Sequence, residues 1–164
     1  MVRYPILFTF TDLVVGHDFL AKVTVDGRAL LVQEGEADFW VYGVEPGGIA
    51  GGGDTMEACR ADFRNGQREV LYDMAYRAST FKEFEAEVQA YFDTFCEATA
   101  VEWGAAVQEV RGDRIEDPGL PRQAAESARG VEVVRLVLGP ELNEEAILPT
   151  LRPASDLAES RLAA

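Results

Sequence analysis

The chain has 164 residues, 48% of them hydrophobic, which is enough to build one ordinary core. Its formal charge of −14 repels phosphate, which argues against nucleic-acid binding by the whole surface and suits an acidic face meeting a basic partner. The longest apolar runs, such as Leu13 to Gly16 and Ala29 to Val32, fall far short of the roughly 20 residues that cross a bilayer. Met1 to Phe8 runs at once into threonines and Asp12, without the apolar stretch and cleavage site of a signal peptide, so the expected location is the cytoplasm.

In chain order, Tyr4 to Phe10, Phe19 to Val25, Arg28 to Gln33 and Phe39 to Val44 are rich in β-branched and aromatic residues and are predicted strands. Asp26-Gly27 predicts a two-residue type I′ turn, and Glu34 to Asp38 a second reversal. The result is an antiparallel meander whose last strand turns Phe39, Val41 and Gly43 to one side and Trp40, Tyr42 and Val44 to the other. Pro46-Gly47-Gly48 breaks that strand, Ile49-Ala50 reads as a short edge piece, and Gly51-Gly52-Gly53 as a sharp turn.

A helix follows, capped by Asp54 or Thr55, with Glu57 in the capping-box position and Met56, Cys59, Phe63, Val70 and Met74 at helical spacing. Gly66 inside it predicts a bend or a close packing contact. Thr80-x-x-Glu83 opens a second helix with the apolar stripe Phe81, Phe84, Val88, Tyr91, Phe92 and Phe95, either a core contact or a dimer seam. Its other side, with Glu83, Glu85, Glu87, Asp93 and Glu97, reads as a solvated face. Val101 to Val110 alternates as a strand would. Residues 112–130 shift to Asp, Pro, Gly, Arg and Ala and predict a linker. Val131 to Leu138 reads as a late strand, with a short helix near Asp156 to Leu162. The expected class is therefore α+β, an antiparallel meander packed by two helices over residues 1–111, with a C-terminal arm over 112–164.

Chemistry is sparse. His17, the single histidine, sits in a Gly-His-Asp turn and reads as a loop residue, and Cys59 and Cys96 read as buried thiols. The Gly47 to Gly53 run lacks a Gly-Lys-Ser/Thr, and Asp54 puts negative charge where a phosphate would sit, so the run reads as structural. Carboxylates are abundant without forming an evident set, which leaves a magnesium-dependent nuclease as a minor reading that needs three or more acids in one cleft. No cofactor is expected.

The segment from Tyr42 to Ala58, with Pro46-Gly47, then Gly53-Asp54-Thr55 and Glu57-Ala58 opening the helix, resembles the signature of HicB-type antitoxins. The resemblance covers about residues 28–77, with the Arg28 to Val44 hairpin similar to the family's first two strands. It implies a β-β-β-α domain related to a partial RNase H fold without catalytic acids, which binds and blocks HicA, a small basic ribonuclease. Many members add a C-terminal DNA-binding segment. Residues 112–164, with six Arg, no Lys and ten Asp or Glu, depart from that plan, as does the second aromatic helix.

The expected function is thus non-catalytic binding, as an antitoxin to a HicA-like ribonuclease or as a stand-alone HicB-like dimer or tetramer that binds another protein or a small ligand. Trp40, Tyr42, Phe84, Tyr91 and Phe95 are the candidate partner or dimer contacts. The Leu162-Ala163-Ala164 end looks like a protease-recognition tail, or else a frayed terminus.

Overall fold

A computed structural model describes residues 1–116, 118–137 and 159–164. Strand β1, Val2–Val15, pairs antiparallel along its whole length with β2, Leu20–Gly35, in a register running from Val2 opposite Gln33 to Val15 opposite Leu20. The hairpin closes at Gly16, whose amide donates to the Phe19 carbonyl at 2.9 Å, and His17 lies in this turn as expected.

Asp26-Gly27 is not a turn. Both residues lie within β2, opposite Thr9 and Phe8, where continuous β-branched sequence on both strands sustains the ladder. Each has a cross-strand purpose. Thr9 Oγ1 donates to Asp26 Oδ1 at 2.6 Å, and a Cβ on Gly27 would stand 2.5 Å from the Phe8 ring and 2.6 Å from the Glu45 carbonyl oxygen. At this point β2 changes neighbours: Leu20 to Asp26 pair with β6, Gly130–Leu136, and Arg28 to Gly35 pair with β3, Asp38–Glu45. A bulge between Arg28 and Ala29 marks the change.

After β3 the chain turns through Pro46 to Gly48, the last at φ +74°, into β4, Ala50–Gly53. The three glycines predicted as a turn are a strand, with Gly51, Gly52 and Gly53 opposite Val41, Trp40 and Phe39. Helix α1, Met56–Arg77, lies directly on them: an added Cβ would come within 2.3 Å of the Phe63 amide nitrogen at Gly51 and 2.5 Å of the Cys59 amide nitrogen at Gly53. No side chain fits between helix and strand. Ile49 packs against Gly66, so the interior glycine answers a close contact.

Helix α2, Phe81–Phe92, is capped by Thr80, whose Oγ1 accepts the Glu83 amide at 3.2 Å, while the Glu83 carboxylate reaches back to accept the amide of Ser79, one residue before the cap, at 2.8 Å. Its Phe84 stacks on Phe19 with centroids 5.1 Å apart. Phe84, Val88 and Phe92 lie in the core with Phe81 and Tyr91 packed against it, whereas Phe95 stays outside.

Val101 to Val110 is not a strand but part of helix α3, Glu97–Arg111. Its alanines favour the helix, and Trp103, Ala106, Val107 and Val110, all buried, follow the 3-4 helical spacing beneath the apparent alternation. This third helix covers the second face of the sheet, so the interior has two parts. One core, with Ile6, Phe8, Leu31, Val41, Phe63 and Phe84, lies between the sheet and α1 with α2. The other, with Leu7, Leu30, Val32, Val44, Trp103 and Val107, lies between the opposite sheet face and α3. Successive residues of β1 and β2 therefore feed opposite cores.

The C-terminal part joins the sheet. Strand β5, Arg122–Gln123, falls in the predicted linker, and β7, Glu159–Ala163, pairs antiparallel with β1 and parallel with β5. The sheet order is β4-β3-β2-β1-β7-β5 with β6 beside β2, giving an α+β fold on a mostly antiparallel sheet. Residues 159–162 of the predicted short helix are a strand, because in-register pairing with Ile6 to Thr9 outweighs weak local helical preference. Leu162 and Ala163 are buried, one in each core, so this end is neither frayed nor accessible as a tail. Leu138 and the remainder of that predicted helix, 156–158, lie outside the described residues. Among the described residues no helix is long and apolar enough to cross a membrane.

Candidate functional site

The segment from Pro46 to Ala58 is held at two places. The Gly47 amide donates to the Thr94 carbonyl at 3.0 Å and the Thr94 hydroxyl donates back to the Gly47 carbonyl at 3.3 Å, which fastens the Pro46-Gly47 turn to the connection between α2 and α3. At the other place Thr55 Oγ1 accepts the Ala58 amide at 3.1 Å, so Thr55 and not Asp54 caps α1. Asp54, Glu57 and Ala58 are exposed. Gly53 serves the contact with Cys59 described above.

The five aromatic candidates do not form one surface. Trp40 and Tyr42 stack along β3 at 6.3 Å and 15°, with Trp40 Nε1 donating to Asp38 Oδ1 at 2.9 Å and the indole lying over Gly52. Trp40 is exposed and Tyr42 half-buried. Phe84 is completely buried and offers no contact to another chain. Tyr91 is half-buried, and desolvation pushes its phenol up to about 12. Phe95 is exposed just beyond α2.

The titratable groups are engaged locally. The His17 ring meets the Tyr76 carbonyl at 3.1 Å. Asp12 is a buried strand carboxylate, a position the sequence did not single out, and Arg68 Nε donates to it at 2.6 Å while the Leu13 amide donates to its other oxygen. Among the described residues no three His, Cys, Asp or Glu converge as a metal site, so the cluster a magnesium-dependent nuclease requires is not found there. Cys59 is buried and its thiol donates to the Gly51 carbonyl. Desolvation raises its pKa to about 11. Cys96 is only half-buried, and the Thr99 hydroxyl 3.0 Å away lowers its thiol pKa.

Sequence reasoning missed a concavity beside α1. A cavity of about 240 Å³ opens between α1 and the strands β1 and β7. Its apolar walls include Phe8 and Phe63, edge to face at 5.5 Å. Its polar lining comes chiefly from α1, where Arg60, Arg64 and Gln67 recur at i, i+4 and i+7 and therefore share one face. Gln67 is 1% exposed, and neither its amide nitrogen nor its carbonyl oxygen has a hydrogen-bond partner among the described residues. Arg60 Nε donates to Ser160 Oγ at 3.1 Å, and burial lowers the Arg60 pKa, Glu57 opposing and Arg64 reinforcing the shift. The signal was present as three polar residues flanking Phe63, but the helix was assigned by its apolar positions alone.

Comparisons with protein-family models, with curated proteins and with solved structures found no match.

Proposed function

We propose that this chain is a HicB-like binding protein without catalytic activity, with a small basic ribonuclease of the HicA kind as its partner. The observation that carries the reading is the continuous unit of β2 from Arg28, β3, β4 and α1, in which the signature glycine lets the helix lie directly on the third strand. The charge of −14 suits a basic partner. The exposed Trp40 beside Tyr42, next to the glycine strand β4, gives that partner an aromatic anchor. Co-expression with small basic HicA-like ribonucleases, followed by affinity purification, tests it: a stoichiometric complex that weakens in Trp40→Ala is expected. Absence of a complex with any of them ends the antitoxin reading.

A second reading, a stand-alone homo-oligomeric HicB-like domain, is favoured by the C-terminal part, whose strands β5, β6 and β7 complete the sheet where many antitoxins carry a DNA-binding segment. Light scattering separates the two. A stable dimer or tetramer that ignores such ribonucleases belongs to the second.

A further inference from the structure

The cavity beside α1 presents an unusual combination. A buried primary amide carries two donors and an acceptor, and leaving it unpaired inside a protein costs stability unless something else satisfies it. Among the described residues Gln67 is in that position, at 1% exposure beside the cavity. Phe8 and Phe63 line the same cavity, and Arg64 and Arg60 lie one and two turns towards the N-terminus of α1. In a chain of charge −14 the cavity lining carries two arginines against the one acid, Glu57. A neighbouring groove shares Arg60 and Ser160 and adds Arg122 and Arg161. Among the described residues that line the two hollows, arginines outnumber acids.

We infer that this cavity binds a small planar heterocycle that offers a neighbouring donor and acceptor to Gln67 and carries an anionic group to Arg60 and Arg64, the chemistry of a nucleotide. The ring part fits: a cavity of about 150 Å³ holds a benzene-sized ring, and here about 240 Å³ is open. An amide side chain pairs bidentately with the edge of adenine, while guanidinium groups suit phosphate. A simple fatty chain would leave Gln67 unsatisfied, and a bare phosphate would leave the aromatic pocket empty. The inference goes beyond the protein-binding role proposed above and holds whichever protein partner the chain has.

Isothermal titration of the full chain with AMP, adenosine, inorganic phosphate and benzoate tests it, alongside the variants Gln67→Leu and Arg60→Gln. AMP binding is expected, at least tenfold tighter than phosphate, adenosine or benzoate, and at least tenfold weaker in either variant. Thermal unfolding supplies a second readout. Removing an unpaired buried amide in favour of an apolar group of similar shape raises Tm of the free protein, by at least about 2 °C, while binding is lost. Failure of AMP to bind at millimolar concentration overturns the inference. So does AMP binding that Gln67→Leu leaves unchanged, or a Gln67→Leu protein that melts earlier than the parent, since the amide would then have a structural partner.

Discussion

Gly51 and Gly53 set the distance between α1 and the sheet, because the helix backbone occupies the space where their side chains would be. Gly51→Ala is expected to cost about 1–3 kcal/mol, since the nearest atom is a helix backbone nitrogen that cannot rotate away. Urea unfolding would show it as a lowered midpoint with unchanged slope. Cys59 supports a pH prediction. Its thiol ionises near 11 when folded and near 9 when unfolded, so both states hold the proton below pH 9. Between 9 and about 11 the unfolded state has released it and the folded state has not, and stability falls as pH rises. Tyr91, raised to about 12, adds to the same trend above pH 10. Urea midpoints measured from pH 8 to 10.5 should therefore hold level and then decline. Single residues also mark what the sequence kept hidden. Asp26-Gly27 has ideal turn chemistry, yet those residues are used by Thr9, Phe8 and Glu45 across the sheet, partners that no local window contains. Gln67 looked like an ordinary polar helix position, and only the fold places it against β1.

Among the elements, α3 has the largest effect on the architecture. Trp103 anchors it: the indole donates to the Ile6 carbonyl at 3.4 Å, and the Arg28 guanidinium lies 4.7 Å over its ring. Trp103→Ala is expected to cost about 3–5 kcal/mol by opening the second core, measurable as loss of Tm. The first core should keep its own contacts in that variant, so the α1 amides should retain more hydrogen-exchange protection than those of α3. Elements with a capping side chain and a one-sided stripe were legible: α1 and α2 fall where Thr55 and Thr80 and their apolar spacing put them. The α3 start has no side-chain cap bond, and its pattern mixes valine alternation with helical spacing, so local sequence pointed to a strand. β4 was hidden differently. Glycine has low strand propensity, and its pairing with β3 is dictated by the helix above it.

Across the whole molecule, residues far apart in sequence complete one sheet. Ile6 pairs with Leu162, and Ala163 is buried against Leu7 and Trp103 in the second core. Ala163→Asp, which places a carboxylate there, should lower stability by about 3 kcal/mol or more, seen as partial unfolding at room temperature by circular dichroism. The same substitution would have left stability untouched had the end been frayed. The composition of 112–164 suggested a separate arm because proline, glycine and charge say nothing about which distant strand a short segment will meet. The α+β class was legible from β1 to α2, where contacts are mostly between sequence neighbours.

The position of β7 between β1 and β5 has a practical consequence for anyone seeking a minimal fragment. Cutting the chain back to residues 1–111 removes the strand that covers β1 and leaves the backbone from Ile6 to Thr9 facing solvent. Such a bared strand takes up whatever extended peptide it meets, including the same strand of a sister molecule. A truncated fragment would then form dimers or aggregates through an edge that the intact protein keeps sealed, and its assembly state would report the cut and not the native molecule.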